Sequence, residues 1–221
     1  MPPIPKPPAP PAASSVTERT YETILRWIEN REIGAGSVLD ERRISEALEV
    51  SRTPLRNVLS RLQGEGYLVR LANGTMVVRD IGAGEVLELL LVRRLLEPEA
   101  AAMAAGRIPA AALQAARDHV DDPAADHNDT NTWLKGDEVH DLIAKHCGNR
   151  SLALMIGEAR RRIRLSHIER VPGRTSHARE EHLAIIDALG AGDGKAAREA
   201  MFRHLENIRE GFLAAFGRGA L

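Results

Sequence analysis

Val50–Arg70 reads V-S-R-T-P-L-R-N-V-L-S-R-L-Q-G-E-G-Y-L-V-R, and this stretch decides the fold. Pro54 suits the first turn of a helix, where an N–H has no partner within the helix to lose. Leu55, Val58, Leu59 and Leu62 then recur at the spacing of one buried face, while Arg52, Arg56, Asn57 and Arg61 fall on the others. Gly64 and Gly66 end the helix. Immediately upstream, Asp40 is a good N-cap for a short helix packing through Ile44, Ala47 and Leu48, and Glu49-Val50 forms the turn between the two. Further upstream, residues 17–32 place Tyr21, Ile24, Leu25 and Ile28 on one stripe, an amphipathic helix that stops before Gly34 and Gly36. Downstream, two β-prone runs, Tyr67–Leu71 and Thr75–Arg79, flank Ala72-Asn73-Gly74, and Asn-Gly is a strong hairpin signal. One helix, two helices joined by a tight turn, and a hairpin together predict a winged helix-turn-helix over 17–80.

On either side the character changes. Residues 1–16 are dominated by proline and alanine and cannot bury enough surface to offset their ordering entropy, so a disordered tail is expected. Beyond Asp80 the pattern is helical, with segments near 83–105, 109–121, 131–147, 150–169, 174–190 and 194–216 separated by Pro- or Gly-containing breaks. Six helices over 81–221 predict an antiparallel bundle, a second domain. The expected fold class is mainly α. Aromatics are only 3% of the 221 residues, so the cores must pack through aliphatic side chains.

Net charge is −1, so bulk electrostatics favours neither nucleic acid nor membrane, and a DNA surface requires local segregation of charge. Arg42–Arg79 supplies it, with seven arginines against Glu46, Glu49 and Glu65. In a helix-turn-helix the start of the second helix enters the major groove. Arg52 and Arg56 are placed there to read guanine edges, and Ser51, Thr53 and the helix N-terminal amides suit phosphate. Arg42 or Arg43 would touch the flanking backbone, and Asn73-Gly74 lets the wing approach a groove. The single cysteine, Cys147, excludes an intrachain disulfide and a Cys-pair zinc motif; it reads as a helix-packing residue. With neither a signal-peptide core nor an apolar run long enough to span a membrane, the expected location is cytoplasmic.

The Val50–Arg70 motif resembles the signature of GntR-family transcription regulators. The later helices resemble the FCD ligand-binding domain of the FadR subfamily, through Val92–Glu97, His140–Asn149, Glu181–Asp187 and His204-Leu205. In that family a carboxylate and a histidine on one helix, with two histidines from later helices, hold a divalent metal. The resemblance assigns His140, His182 and His204 to the histidine positions, and zinc or nickel suits such a set. The family aspartate sits four residues before the first histidine, where this chain has Gly136. Asp137, three before, lies on the same helix face; it replaces that ligand, or the site is three-histidine or metal-free. Arg93 resembles a position used against ligand carboxylates, and Arg160, Arg164 and His167 form a polar stripe that offers further charge.

The resemblance thus implies a homodimeric regulator, not an enzyme, that binds double-stranded operator DNA and responds to a small carboxylate effector. Whether it is a repressor or an activator is not encoded in these residues. Two rivals stand beside it: a metal-dependent hydrolase with Glu181 as base, and a DNA-bound dimer whose pocket senses nothing.

Overall fold

The computed structural model describes Pro5 and residues 15–121, 137–166 and 175–216. It divides into two compact units, Met1–Gly82 with Arg164–His167, and Ala83–Ile163 with Ile168–Leu221.

In the first unit α1 is Val16–Glu29, α2 is Glu41–Ala47 and α3 is Arg52–Gly64. Helix α1 begins one residue before the expected point because Ser15 caps it, its hydroxyl accepting the Glu18 N–H at 3.2 Å. Its buried stripe contains Tyr21, Ile24 and Ile28 as expected, and also Trp27, while Leu25 is only half-buried. Asp40 caps α2 by accepting from the N–H groups of Arg42 and Arg43. The turn between α2 and α3 needs a left-handed residue, and Glu49 adopts it at φ 52°. That strain is held by Ser45, whose hydroxyl donates to the Val50 carbonyl at 2.5 Å, and by the Val50 N–H, which donates to the Ser45 carbonyl at 3.1 Å.

Leu55, Val58, Leu59 and Leu62 of α3 are all buried, the face that the sequence pattern requires. Between α1 and α3, the Tyr21 hydroxyl donates to Glu65 at 2.5 Å, and the Arg61 guanidinium lies 3.6 Å from the Tyr21 ring centroid. Arg61 also pairs with Glu18 and Glu65, each at 3.0 Å. Burial and the Glu65 bond push the Tyr21 hydroxyl pKa well up, so the phenol stays a donor.

The hairpin joins β1, Leu68–Arg70, to β2, Met76–Val78, antiparallel with Leu68 opposite Val78. Its turn needs Gly74, at φ 84°, and the Asn73 side chain accepts the Thr75 N–H at 3.0 Å. One feature lay outside the sequence reading: Val38, between α1 and α2, bridges Val77 and adds a third extended segment to the wing.

The second unit contains α4, Ala83–Ala104; α5, Ala110–Asp121; α6, Asp137–His146; α7, Arg150–Leu165, of which Arg164 and Leu165 group with the first unit; α8, Thr175–Gly190; and α9, Gly194–Phe216. The expected extensions at 131–136 and 167–169 lie outside the described residues. Helix α4 packs against α6, α8 and α9, α9 packs on α8, and α8 on α5. The shared core is rich in alanine, with Ala100, Ala101, Ala104 and Ala197 beside Ile143, Ile156, Ile185, Leu189, Met201 and Leu205. Such small residues let helix backbones approach closely. The tightest case is Gly194, where a Cβ would lie 2.9 Å from the Ala102 carbonyl oxygen. Cys147 is fully buried with its thiol directed at the carbonyls of Ala144 and Asn149, a packing role as expected. Among the described residues no helix is long and apolar enough to cross a membrane.

Candidate metal centre and nucleic-acid interface

The start of α3 presents Ser51, Arg52, Thr53 and Arg56, all exposed. Ser51 occupies the N-cap position yet makes no side-chain capping bond, so its hydroxyl is not spent on the helix. Arg56 is bonded through Nε to Glu41 of α2 at 3.2 Å, a contact the sequence reading missed. Both groups are substantially exposed, so this pair is weak and exchangeable for a phosphate or a base edge. Arg42 reaches Glu46 only at 3.7 Å, again in solvent, and Arg43 is half-buried. Asn73 and Gly74 are exposed at the hairpin tip, where Arg70 donates to the Gly74 carbonyl at 2.9 Å. Arg61, counted with the basic segment, is instead engaged by Glu18, Glu65 and Tyr21.

In the bundle, three helices bring His140 of α6, His182 of α8 and His204 of α9 together. One ring nitrogen from each lies within 4.8 Å of the others, and all three residues are buried. Ring centroids are 5.5 Å apart for His140 and His182, 5.2 Å for His140 and His204, and 4.5 Å for His182 and His204. Burial pushes the His140 pKa down to about 4 even though Glu97 opposes the shift, and burial likewise lowers His182 and His204. All three imidazoles are therefore neutral at pH 7, the form that ligates metals.

Two carboxylates flank them. Glu97 of α4, almost completely buried, is bonded to His140 Nδ1 and accepts from Arg93 Nε at 2.5 Å. Burial alone would raise the Glu97 pKa, but Arg93 and His140 outweigh it and hold the group ionised. Glu181 of α8 is 2.7 Å from His204 Nδ1 through one oxygen and accepts from Asn207 Nδ2 at 2.7 Å through the other. Both of its oxygens are thus engaged by neighbours. His182 Nε2 and His204 Nε2 are buried with no hydrogen-bond partner. A buried polar atom without a partner is costly, so two such atoms within one cluster of neutral imidazoles suit cation binding. The residues suit a borderline divalent ion such as zinc or nickel.

The other expected site residues fall out differently. The side chain of Asp137, as well as Gly136 and His167, lies outside the described residues. Arg93 is buried but committed to Glu97, and Arg160, 2% exposed, is paired with Asp141. Arg164, half-buried at the end of α7, groups with the first unit and not with the bundle. Glu97 was not foreseen as part of the site. Its i, i+4 spacing to Arg93 was legible, but Glu85, Glu88, Arg94 and Glu99 share the helix, so spacing alone did not mark this pair for burial.

The family model described as bacterial regulatory proteins, gntR family, matches residues 16–78, and that of the FCD domain matches residues 88–207. The chain is 28% identical over 208 residues to the HTH-type transcriptional regulator LutR of Bacillus subtilis, covering 83% of this chain and 94% of LutR. It is 29% identical over 184 residues to the Nta operon transcriptional regulator of Aminobacter aminovorans, covering 79% and 86% respectively. In fold it is similar to a putative GntR regulator of Rhodococcus sp. RHA1, with a TM-score of 0.71 at 22% identity, covering 92% of this chain and all of that one. It is also similar to McbR/YncC of E. coli, with a TM-score of 0.69 at 18% identity and the same coverage.

Proposed function

Because the chain belongs to the gntR family of bacterial regulatory proteins and carries an FCD domain, it is a DNA-binding transcription regulator, and we propose that it is a homodimer whose operator affinity is set by a metal-bound small carboxylate. The observation that carries this reading is the buried His140–His182–His204 cluster with its unpartnered ring nitrogens. The three histidines would hold the ion, and Asp137 is the candidate for a fourth ligand. The ion, when bound, supplies a Lewis-acid centre that binds anionic oxygen. The chain's own part is to keep three imidazoles neutral, dry and converged.

In the first unit, Arg52 and Arg56 read base edges while Ser51, Thr53, Arg42, Arg43 and the Asn73-Gly74 tip hold the DNA backbone. A dimer presents two such surfaces to a pseudopalindromic site. Arg93 and Arg160 sit beside the cluster as ion pairs, so in this reading they act on an effector only by exchanging Glu97 or Asp141 for it.

The test is operator binding by fluorescence anisotropy, on a fragment selected from random-sequence DNA. It is run with stripped and zinc-loaded protein, each with and without a panel of mono-, di- and tricarboxylates. A change of roughly 5- to 150-fold with one member of the panel, seen only with the metal, is expected. Affinity unaffected by metal and by every carboxylate contradicts the sensing role and leaves a DNA-binding protein alone.

A further inference from the structure

We infer that Glu97 and Glu181 are positioning residues that lock His140 and His204 in the Nδ1–H tautomer, so that each turns a bare Nε2 toward the divalent ion. This rests on the metal reading above and extends it to the residues behind the ligands.

An ionised carboxylate has no hydrogen to give, so a ring nitrogen hydrogen-bonded to it must carry the proton. Glu97 is bonded to His140 through Nδ1, and Glu181 to His204 through Nδ1 at 2.7 Å. Further donors occupy both carboxylates, Arg93 on Glu97 and the Asn207 amide on the second oxygen of Glu181. A neutral imidazole has one N–H, so placing it on Nδ1 leaves Nε2 as a lone pair. In His204 that atom is buried without a partner.

The same contacts fix ring orientation and strengthen the ligand, because a negative charge behind the imidazole raises its basicity. The supports come from α4 and α8, whereas the histidines they hold belong to α6 and α9. Each pair therefore ties two helices together at the site. The arrangement also distributes charge. Two carboxylates lie behind the cluster, one of them paired with Arg93, so the negative charge left beside three neutral rings favours a dication whether or not Asp137 also ligates it.

Two readouts on the full-length protein test it. In metal-free, 15N-histidine-labelled protein, long-range 1H–15N correlation spectra should give His140 and His204 the Nδ1–H pattern. Glu181→Ala should release His204 from it, while Glu181→Gln, which keeps an acceptor but loses the charge, should retain it. In competition titrations against a chelating dye, zinc affinity should fall about 10- to 100-fold in Glu181→Ala and less in Glu181→Gln, with stoichiometry unchanged. Glu97→Gln provides the parallel case for His140, and Glu181, being partly accessible, covers the event that the Glu97 variant does not fold.

Nε2–H tautomers in the wild type, or wild-type zinc affinity in Glu181→Ala, overturn the positioning role while leaving the metal site standing. A wild-type protein that takes up no zinc overturns the metal reading itself, and with it the role assigned to both carboxylates.

Discussion

Arginine does opposite things in the two units. At the start of α3, Arg52 and Arg56 are exposed, and the Arg56 contact to Glu41 lies in solvent and is readily exchanged. In the bundle, Arg93 and its partner Glu97 are both buried, while Arg160 is buried but meets the exposed carboxylate of Asp141. An exposed pair contributes about 0–1 kcal/mol, whereas breaking a buried one leaves an uncompensated charge and costs about 3–5 kcal/mol. Arg56 can therefore exchange its partner at little cost, and Arg93 cannot. Residue type alone does not separate these roles; the dielectric around the side chain does.

The difference can be broken by substitution. The largest effect is expected for Glu97→Ala, which strands Arg93 and should lower the unfolding free energy of metal-stripped protein by about 3–5 kcal/mol in urea titrations. A near-neutral result would mean that Arg93 finds water or another acceptor, and the contrast between the units would fail. Next come Arg52→Ala and Arg56→Ala, each expected to weaken operator binding by about 1–3 kcal/mol and to relax preference at one base pair. Full, sequence-specific affinity in both would remove α3 as the reading helix.

Ser15→Ala should destabilise the first unit by about 1 kcal/mol through loss of the α1 cap, with melting temperature as the readout. The smallest effect on stability, within about 0.5 kcal/mol, belongs to Arg42→Ala. That variant should still bind all DNA sequences more weakly, with a salt slope shallower by about 1. A stability loss there comparable to that of Glu97→Ala would erase the distinction between surface and buried arginine.

The contrast also explains what the sequence made legible. Periodicity and turn chemistry are local, so the buried face of α3, the Asp40 cap, the Asn73-Gly74 turn and the succession of helices from α4 to α9 could be read directly. Val38 could not, because a single-residue bridge to Val77 has no pattern of its own. His140, His182 and His204 lie on three helices, and no spacing rule links them; they were assembled only through resemblance to a family. Glu97 lies 43 residues from His140, and only folding reveals that it supports this ring while also neutralising Arg93. Arg160 shows the same limit, since its partner Asp141 lies on another helix and the pair forms only when the helices pack.

The central claim, that the buried histidine cluster is a metal centre, is tested most directly by elemental analysis. Untagged protein purified without chelator, then reloaded with zinc or nickel and desalted, is compared with a His182→Ala/His204→Ala variant. The account predicts close to one ion per chain in the wild type and near none in the variant, with the N-terminal unit folded in both. Wild-type protein that retains no metal after reloading, or a variant that retains as much as the wild type, would contradict it.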